Sequence, residues 1–280
     1  AKSHFLRALE ISQHHADANH NIGSVYLREL DFTRGWPHRQ FRWSSSSQQT
    51  NAENLNLAPL WEGQRTGKLL IWAEQGVGDE VMFASILQEL LGYCDQLTVS
   101  ISERLFSLFQ RNFPSKIQFR DRFRPIEEET FDHQAPAMTA VAKLRPDLKS
   151  FSKQKHGSAY IKADPSLTAE VREKLSALAD KRKIVGVSWF SAAEKVGKSR
   201  SVNISELVRC LPEDFFLVNV QYGDVTKALI RVEKELGREI YSYPSVDTWN
   251  DLGGLFALIE ACDLIVSIDN STVHFAGSLG

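Results

Sequence analysis

Between residues 5 and 43 the apolar positions recur at three- and four-residue spacing: Phe5, Leu6, Ala8 and Leu9; then Ala16, Ala18, Ile22, Gly23, Tyr26, Leu27 and Leu30; then Phe32, Gly35, Trp36, Phe41 and Trp43. That spacing predicts three successive helices. Small residues at Ala8, Ala18 and Gly23 allow close helix approach, and Pro37 is expected to interrupt the third helix. From Lys68 onward the pattern changes to short apolar runs alternating with helix-spaced ones. Strands are expected at 69–73, 97–101 and 117–119, with helices at 79–91 and 103–112, and Tyr160 and Ile161 closing this first sheet. A second series places strands at 184–189, 215–221, 239–243 and 264–268 and helices at 166–180, 204–210, 225–236 and 252–262. Alternating strands and helices predict an α/β chain with parallel sheets covered by helices. Polar tracts at 44–51 and 149–157 read as linkers and divide the chain into residues 1–58, 59–157 and 158–280.

Composition narrows the function. The 280 residues carry 33 Lys and Arg against 35 Asp and Glu, a formal charge of −2, so the chain lacks the cationic field that non-specific nucleic-acid binding needs. No apolar run approaches the ~18 residues that span a bilayer. Cys94, Cys210 and Cys262 share no short spacing, and Cys94 and Cys262 fall in apolar stretches expected to be helical. They read as reduced thiols of a cytoplasmic protein. The sequence starts without Met and stops in an expected helix, so it is expected to be a piece of a longer protein.

Three segments at the carboxyl ends of expected strands carry candidate chemistry. In Gln75-Gly76-Val77-Gly78-Asp79-Glu80, acids stand where a dinucleotide fingerprint needs room for pyrophosphate, and no Gly-Lys-Ser/Thr is present. NAD and P-loop binding are therefore excluded here. Gly76 and Gly78 instead allow a tight turn that projects Asp79 toward a cleft, the competing role of Asp79 being a helix N-cap. After 264–268, Asp269-Asn270-Ser271-Thr272-Val273-His274 supplies hydroxyls and backbone amides at a helix start, an anion cradle or simply a capped helix. His274 lacks any metal-like cluster around it. The loop after 184–189 holds Lys195, Lys198 and Arg200, cations able to clamp a diphosphate.

Two resemblances follow from these residues. Ala8-Leu9-Glu10-Ile11, Ala16-Asp17-Ala18, Asn21-Ile22-Gly23, Tyr26-Leu27 and Phe32 before Gly35-Trp36 resemble about one tetratricopeptide repeat, departing at Pro37. Gln75 to Ala84, Val187-Ser188-Trp189, Arg200-Ser201-Val202, Asn219-Val220-Gln221 and Asp263 to Gly277 resemble the heptosyltransferase-like glycosyltransferases of family nine, in the form fused behind such repeats.

The second resemblance implies a GT-B architecture of two Rossmann-like lobes, the second truncated here, preceded by a short all-α repeat hairpin. It implies an inverting transfer from a nucleotide-sugar to a protein or glycan acceptor, with no metal or other cofactor. Asp79 matches the proposed general base, with Gly76, Gly78 and Glu80 in its loop. Lys198, Arg200, Gln221, Asp269, Asn270, Ser271, Thr272 and His274 fall in the phosphate-binding and donor segments. Asn270-Ser271 departs from the Thr-Gly or Thr-Ala of many relatives, which leaves sugar identity open. The repeat helices would add a protein partner. The competing reading is a repeat-containing interaction or nucleotide-binding protein without catalysis, and fold alone does not choose between them.

Overall fold

The computed structural model describes residues 1–45, 52–126, 129–153, 158–193 and 197–280. In chain order its helices and strands are α1 Lys2–Ile11, α2 Ala16–Arg28, α3 Phe32–Arg39, β1 Thr66–Trp72, α4 Val77–Phe83, α5 Leu87–Leu90, β2 Cys94–Ile101, α6 Phe106–Asn112, β3 Ile117–Asp121, β4 His133–Pro136 and α7 Ala137–Leu144. They continue as α8 Pro165–Ala179, β5 Lys183–Ser188, α9 Gly197–Arg200, α10 Ile204–Arg209, β6 Phe215–Asn219, α11 Thr226–Leu236, β7 Ile240–Tyr241, α12 Leu252–Glu260, β8 Leu264–Ser267 and α13 Ser271–Leu279. The chain forms two compact units, one of Ala1–Gln75, Ile86–Ile101 and Pro114–His156, the other of Gly76–Ser85, Ser102–Phe113 and Gly157–Gly280.

Each unit holds one four-stranded, wholly parallel sheet, in the order β3-β2-β1-β4 in the first and β7-β6-β5-β8 in the second. Parallel strands are covered on both faces and so read as unbroken apolar runs. Leu69, Leu70, Ile71 and Trp72 of β1 and Val185 and Val187 of β5 are at most 2% exposed. Around β5 the second core gathers Trp189, Ile204, Val208, Leu217, Val232 and Ile240. In both sheets the strand order reverses beside the first strand of the unit, and such reversals open a crevice at the carboxyl ends.

In the first unit, α2 packs against α3 where glycines bring the backbones close. A Cβ on Gly23 would lie 2.9 Å from the Arg39 nitrogen, and one on Gly35 would lie 2.5 Å from Leu27 Cδ2. Pro37 does not end α3, which runs on to Arg39 and then tightens into a 3-10 turn at Gln40–Trp43. Pro37 instead removes one helical hydrogen bond near the end of a short helix.

Other departures from the sequence reading are local. Helical conformation runs from Val77 to Leu90, with its middle turn, Ala84–Ile86, tightened to 3-10. The fourth strand of the first sheet is β4, while Tyr160 and Ile161 belong to no strand. Their backbone N–H groups donate to the Ser278 carbonyl at 3.0 and 3.1 Å, which ties them to the end of α13. Cys94 opens β2 rather than lying in a helix, and all three cysteines are free thiols. Residues 46–51 and 154–157 of the two polar tracts, and Lys195, lie outside the described residues.

Candidate functional site

The second sheet reverses between β5 and β8, and a buried polar lattice fills the space at their carboxyl ends. Gln221, fully buried, accepts from Ser188 Oγ at 3.0 Å, from the Trp189 N–H at 2.9 Å and from the Phe190 N–H at 2.8 Å through its one carboxamide oxygen. Asn270 caps α13: its Oδ1 accepts the Thr272 N–H at 3.0 Å, and its Nδ2 donates to Ser188 Oγ at 2.7 Å and to the Phe190 carbonyl at 3.1 Å. Thr272 Oγ1 donates to Ser188 Oγ at 3.2 Å. These side chains are spent on one another, which is what burial of polar groups requires. Gln221, Asn270 and Thr272 therefore lie beneath the start of α13, and fix where its first turn presents its amides.

The cationic loop folds back onto this lattice. The Val202 N–H donates to the Trp189 carbonyl at 3.0 Å, and Ser201 Oγ accepts the Ser191 N–H at 3.0 Å while donating to the Gly197 carbonyl at 2.7 Å. Gly197 is required here, because a Cβ would collide with the Ser191 carbonyl oxygen. This closure returns Arg200 to α13, where its Nε lies 3.4 Å from Asp269 Oδ2. Both side chains are open to solvent, at 43% and 69% exposure, so the pair contributes little to stability. Lys198 is exposed on the same short helix.

The turn after β1 brings a second helix start to the same place. Gly76 occupies the N-cap of α4, and Asp79 is the third residue of that helix. Asp79 is thus not the cap, because the helix begins two residues earlier than the sequence spacing suggests. Helix α4 packs on α13: a Cβ on Gly78 would lie 2.9 Å from Ser271 Cα and 3.0 Å from His274 Cδ2. The half-buried Asp79 therefore starts one residue from this crossing. Glu80 turns inward instead, 4% exposed, and its Oε2 accepts the Ser102 N–H at 2.9 Å. Gly76 faces open space.

Beyond Gln221 a cavity of about 250 Å³ opens at the carboxyl ends of β6 and β7, with Asn219, Asp224, Thr226, Tyr243, Asp247 and Thr248 among its lining. Gly223, at φ +86°, makes the left-handed turn that leads into it. A hydrogen bond with Thr226 holds the Asp224 carboxyl below its usual range, and one with Asn250 does the same for Asp247, so both line the cavity as anions. Beside it the Tyr222 and Trp249 rings meet at 5.5 Å, with Trp249 47% exposed. Sequence reading missed this cavity. The exposed Asp and Trp of 247–249 were its only signal. Among the described residues no group of three or more His, Cys, Asp or Glu is placed to hold a metal ion, and no helix is long and apolar enough to cross a membrane.

No protein-family model matches the chain. It is 34% identical over 267 residues to protein FlbA of Caulobacter vibrioides, an alignment that takes in 88% of this chain and 44% of FlbA. The chain thus spans less than half the length of that relative. The fold is shared with the crystal structure of a family 9 glycosyl transferase from Veillonella parvula, at a TM-score of 0.53 and 12% identity over 79% of this chain and 80% of that one. The E. coli ADP-heptose lipopolysaccharide heptosyltransferase II aligns at a TM-score of 0.47 and 14% identity, over 76% of this chain and 82% of that one.

Proposed function

We propose that this chain is the catalytic part of a glycosyltransferase that moves a sugar from a nucleotide-sugar to a hydroxyl of a protein or glycan acceptor. The observation that carries the reading is the meeting of two unlike helix starts at Gly78, one acidic and one amide-rich. The shared fold with a family 9 glycosyl transferase supports it. The first turn of α13 takes the donor diphosphate on backbone amides, as helix starts take anions. Arg200 leaves Asp269 for the phosphate, with Lys198 adding charge. The nucleoside occupies the cavity beyond Gln221, its base stacked on the exposed Trp249 and its ribose hydroxyls donating to Asp224 and Asp247.

Asp79 acts as general base. It takes the proton of the acceptor hydroxyl as that oxygen attacks the anomeric carbon, and the bond to the diphosphate breaks on the opposite face, giving inversion. Charge growing on the leaving oxygens falls on the α13 amides and Arg200. The segment α1–α3 is read as a tetratricopeptide-like module that holds a protein partner or acceptor.

The test is Asp79→Asn in the full-length protein. Because Asp79 is not the N-cap, the change costs the helix little, while turnover of sugar-nucleotide falls by roughly 10²- to 10⁴-fold and nucleotide binding persists. Wild-type turnover in a variant of unchanged melting temperature would remove Asp79 as the base.

A further inference from the structure

A fully satisfied buried charge lies outside the site described above. Arg42, in the 3-10 turn that ends the helical segment, has a side chain only 1% exposed, and its ion-pair partner Glu74 is 3% exposed. All five of its N–H donors find acceptors. Nε donates to Glu74 Oε2 at 2.6 Å, and Nη2 donates to Glu74 Oε1 at 3.1 Å and to Thr139 Oγ1 at 2.9 Å. Nη1 donates to the Arg39 carbonyl at 3.1 Å and to Gln40 Oε1 at 3.4 Å. Glu74 Oε1 also accepts the Met138 N–H at 3.0 Å, in the first turn of α7. Trp43 reinforces the joint, its ring 4.5 Å from the Arg42 guanidinium and 5.4 Å from the ring of Trp72 on β1.

Glu74 stands two residues past the end of β1, where the chain leaves for Gly76, Gly78 and Asp79. The next residue is anchored too, since Arg122 Nη1 donates to the Gln75 carbonyl. Two successive residues of the turn are therefore held by side chains from elsewhere in the first unit, one of them from the helical segment. A helical module serving only to dock a partner has no need of a buried ion pair at this place. Buried pairs are a poor source of stability compared with apolar packing, and their best use is to specify geometry.

We propose that Arg42 and Glu74 are positioning residues: through them the helical segment sets the point from which the turn carries Asp79. The turnover arm rests on the reading of Asp79 as base; the exchange arm does not. The helical segment is then an integral part of the catalytic apparatus, and a partner that shifts the Gln40–Trp43 turn alters catalysis.

Two variants of the full-length protein test this. Arg42→Lys keeps the charge and loses the planar fork. The double variant Arg42→Met with Glu74→Leu removes both buried charges together, an exchange that stability tolerates. Amide hydrogen exchange is read over residues 73–83 and, as a reference, over β2. Both variants are expected to exchange faster over 73–83 alone, with kcat down roughly 10²-fold, the scale of a small misplacement, and nucleotide affinity unchanged. Wild-type exchange and kcat, or acceleration spread evenly over β2 as well, would overturn the proposal. Should either variant fail to fold, Thr139→Val, which removes one of the five acceptors, carries the same comparison. If the wild-type protein turns over no sugar-nucleotide, the glycosyltransferase reading falls, and the exchange pattern still decides whether the ion pair fixes the turn.

Discussion

The crossing of α4 and α13 makes Gly78→Ala an informative substitution. The added methyl would stand 2.9 Å from Ser271 Cα, 3.1 Å from Ser271 Cβ and 3.0 Å from His274 Cδ2. Carbon atoms prefer at least ~3.5 Å, so the helices must part by about 0.6 Å. Two of the three neighbours belong to Ser271 at the start of α13, and a backbone cannot rotate away as a side-chain tip can. Overpacking of this kind typically costs about 1–3 kcal/mol, and the better helix propensity of alanine returns up to ~1 kcal/mol. A net loss of about 0–2 kcal/mol is expected by urea denaturation. Displacing α13 should also weaken nucleotide binding by calorimetry and lower turnover, because the amides of its first turn move with it. Gly76→Ala is the control: no atom lies within 4 Å of its Cβ, and φ is −78°. There a small helix-end penalty offsets a similar unfolded-state gain. A Gly78→Ala protein that is stabilised by ~1 kcal/mol and binds nucleotide as the wild type does would refute the close crossing and the site built on it.

Arg200→Ala should weaken nucleotide binding by about 1–3 kcal/mol, as for a charged hydrogen bond; unchanged affinity by calorimetry would remove Arg200 from the site. Gln221→Leu strips two buried donors and one part-buried donor of their acceptor and should cost about 3 kcal/mol in urea denaturation, a neutral result meaning that the lattice does not hold the β5 loop. Burial, then the nearby Arg39 and Arg42, push the His20 imidazole down to about 4 from its usual 6.5. The unfolded chain therefore takes up a proton first, and stability should fall as pH drops from 6.5 toward 4 and level off below; His20→Gln should flatten that slope in melts across this window.

Most strands and helices were legible because the apolar pattern marks them. Leu69 to Trp72 and Ile184 to Val187 are unbroken runs that only a strand buried on both faces explains. β4 was not legible: His133-Gln134-Ala135-Pro136 is too short and too polar to signal, and it becomes a strand because Gln134 finds Trp72 Nε1 at 2.7 Å and the Trp61 N–H at 2.8 Å. The candidate site divides in the same way. Asp79, Arg200 and Asp269 stand at turns that the strand pattern marks, so their positions could be read from the sequence. The inward roles of Glu80, Gln221 and Asn270 could not, since nothing in a polar residue's sequence neighbourhood says that a partner many residues away will bury it. Arg42 and Glu74, in a 3-10 turn and past a strand end, were silent for the same reason.

The strand order has a consequence for how the molecule is made. In each sheet the inner strand pairs early on one side and late on the other: Val185 meets Leu217 of β6 first and Leu264 of β8 only after most of the second unit has been synthesised. Pairings so distant in sequence are slow to close. Until β8 arrives, one edge of β5 stays open as a template for other chains. Ser188 waits as well, because Asn270 and Thr272 come only with the segment after β8. The same late event that removes an aggregation-prone edge also completes the hydrogen-bonded lattice beneath the first turn of α13, so a polypeptide released too soon is at once sticky and without that lattice.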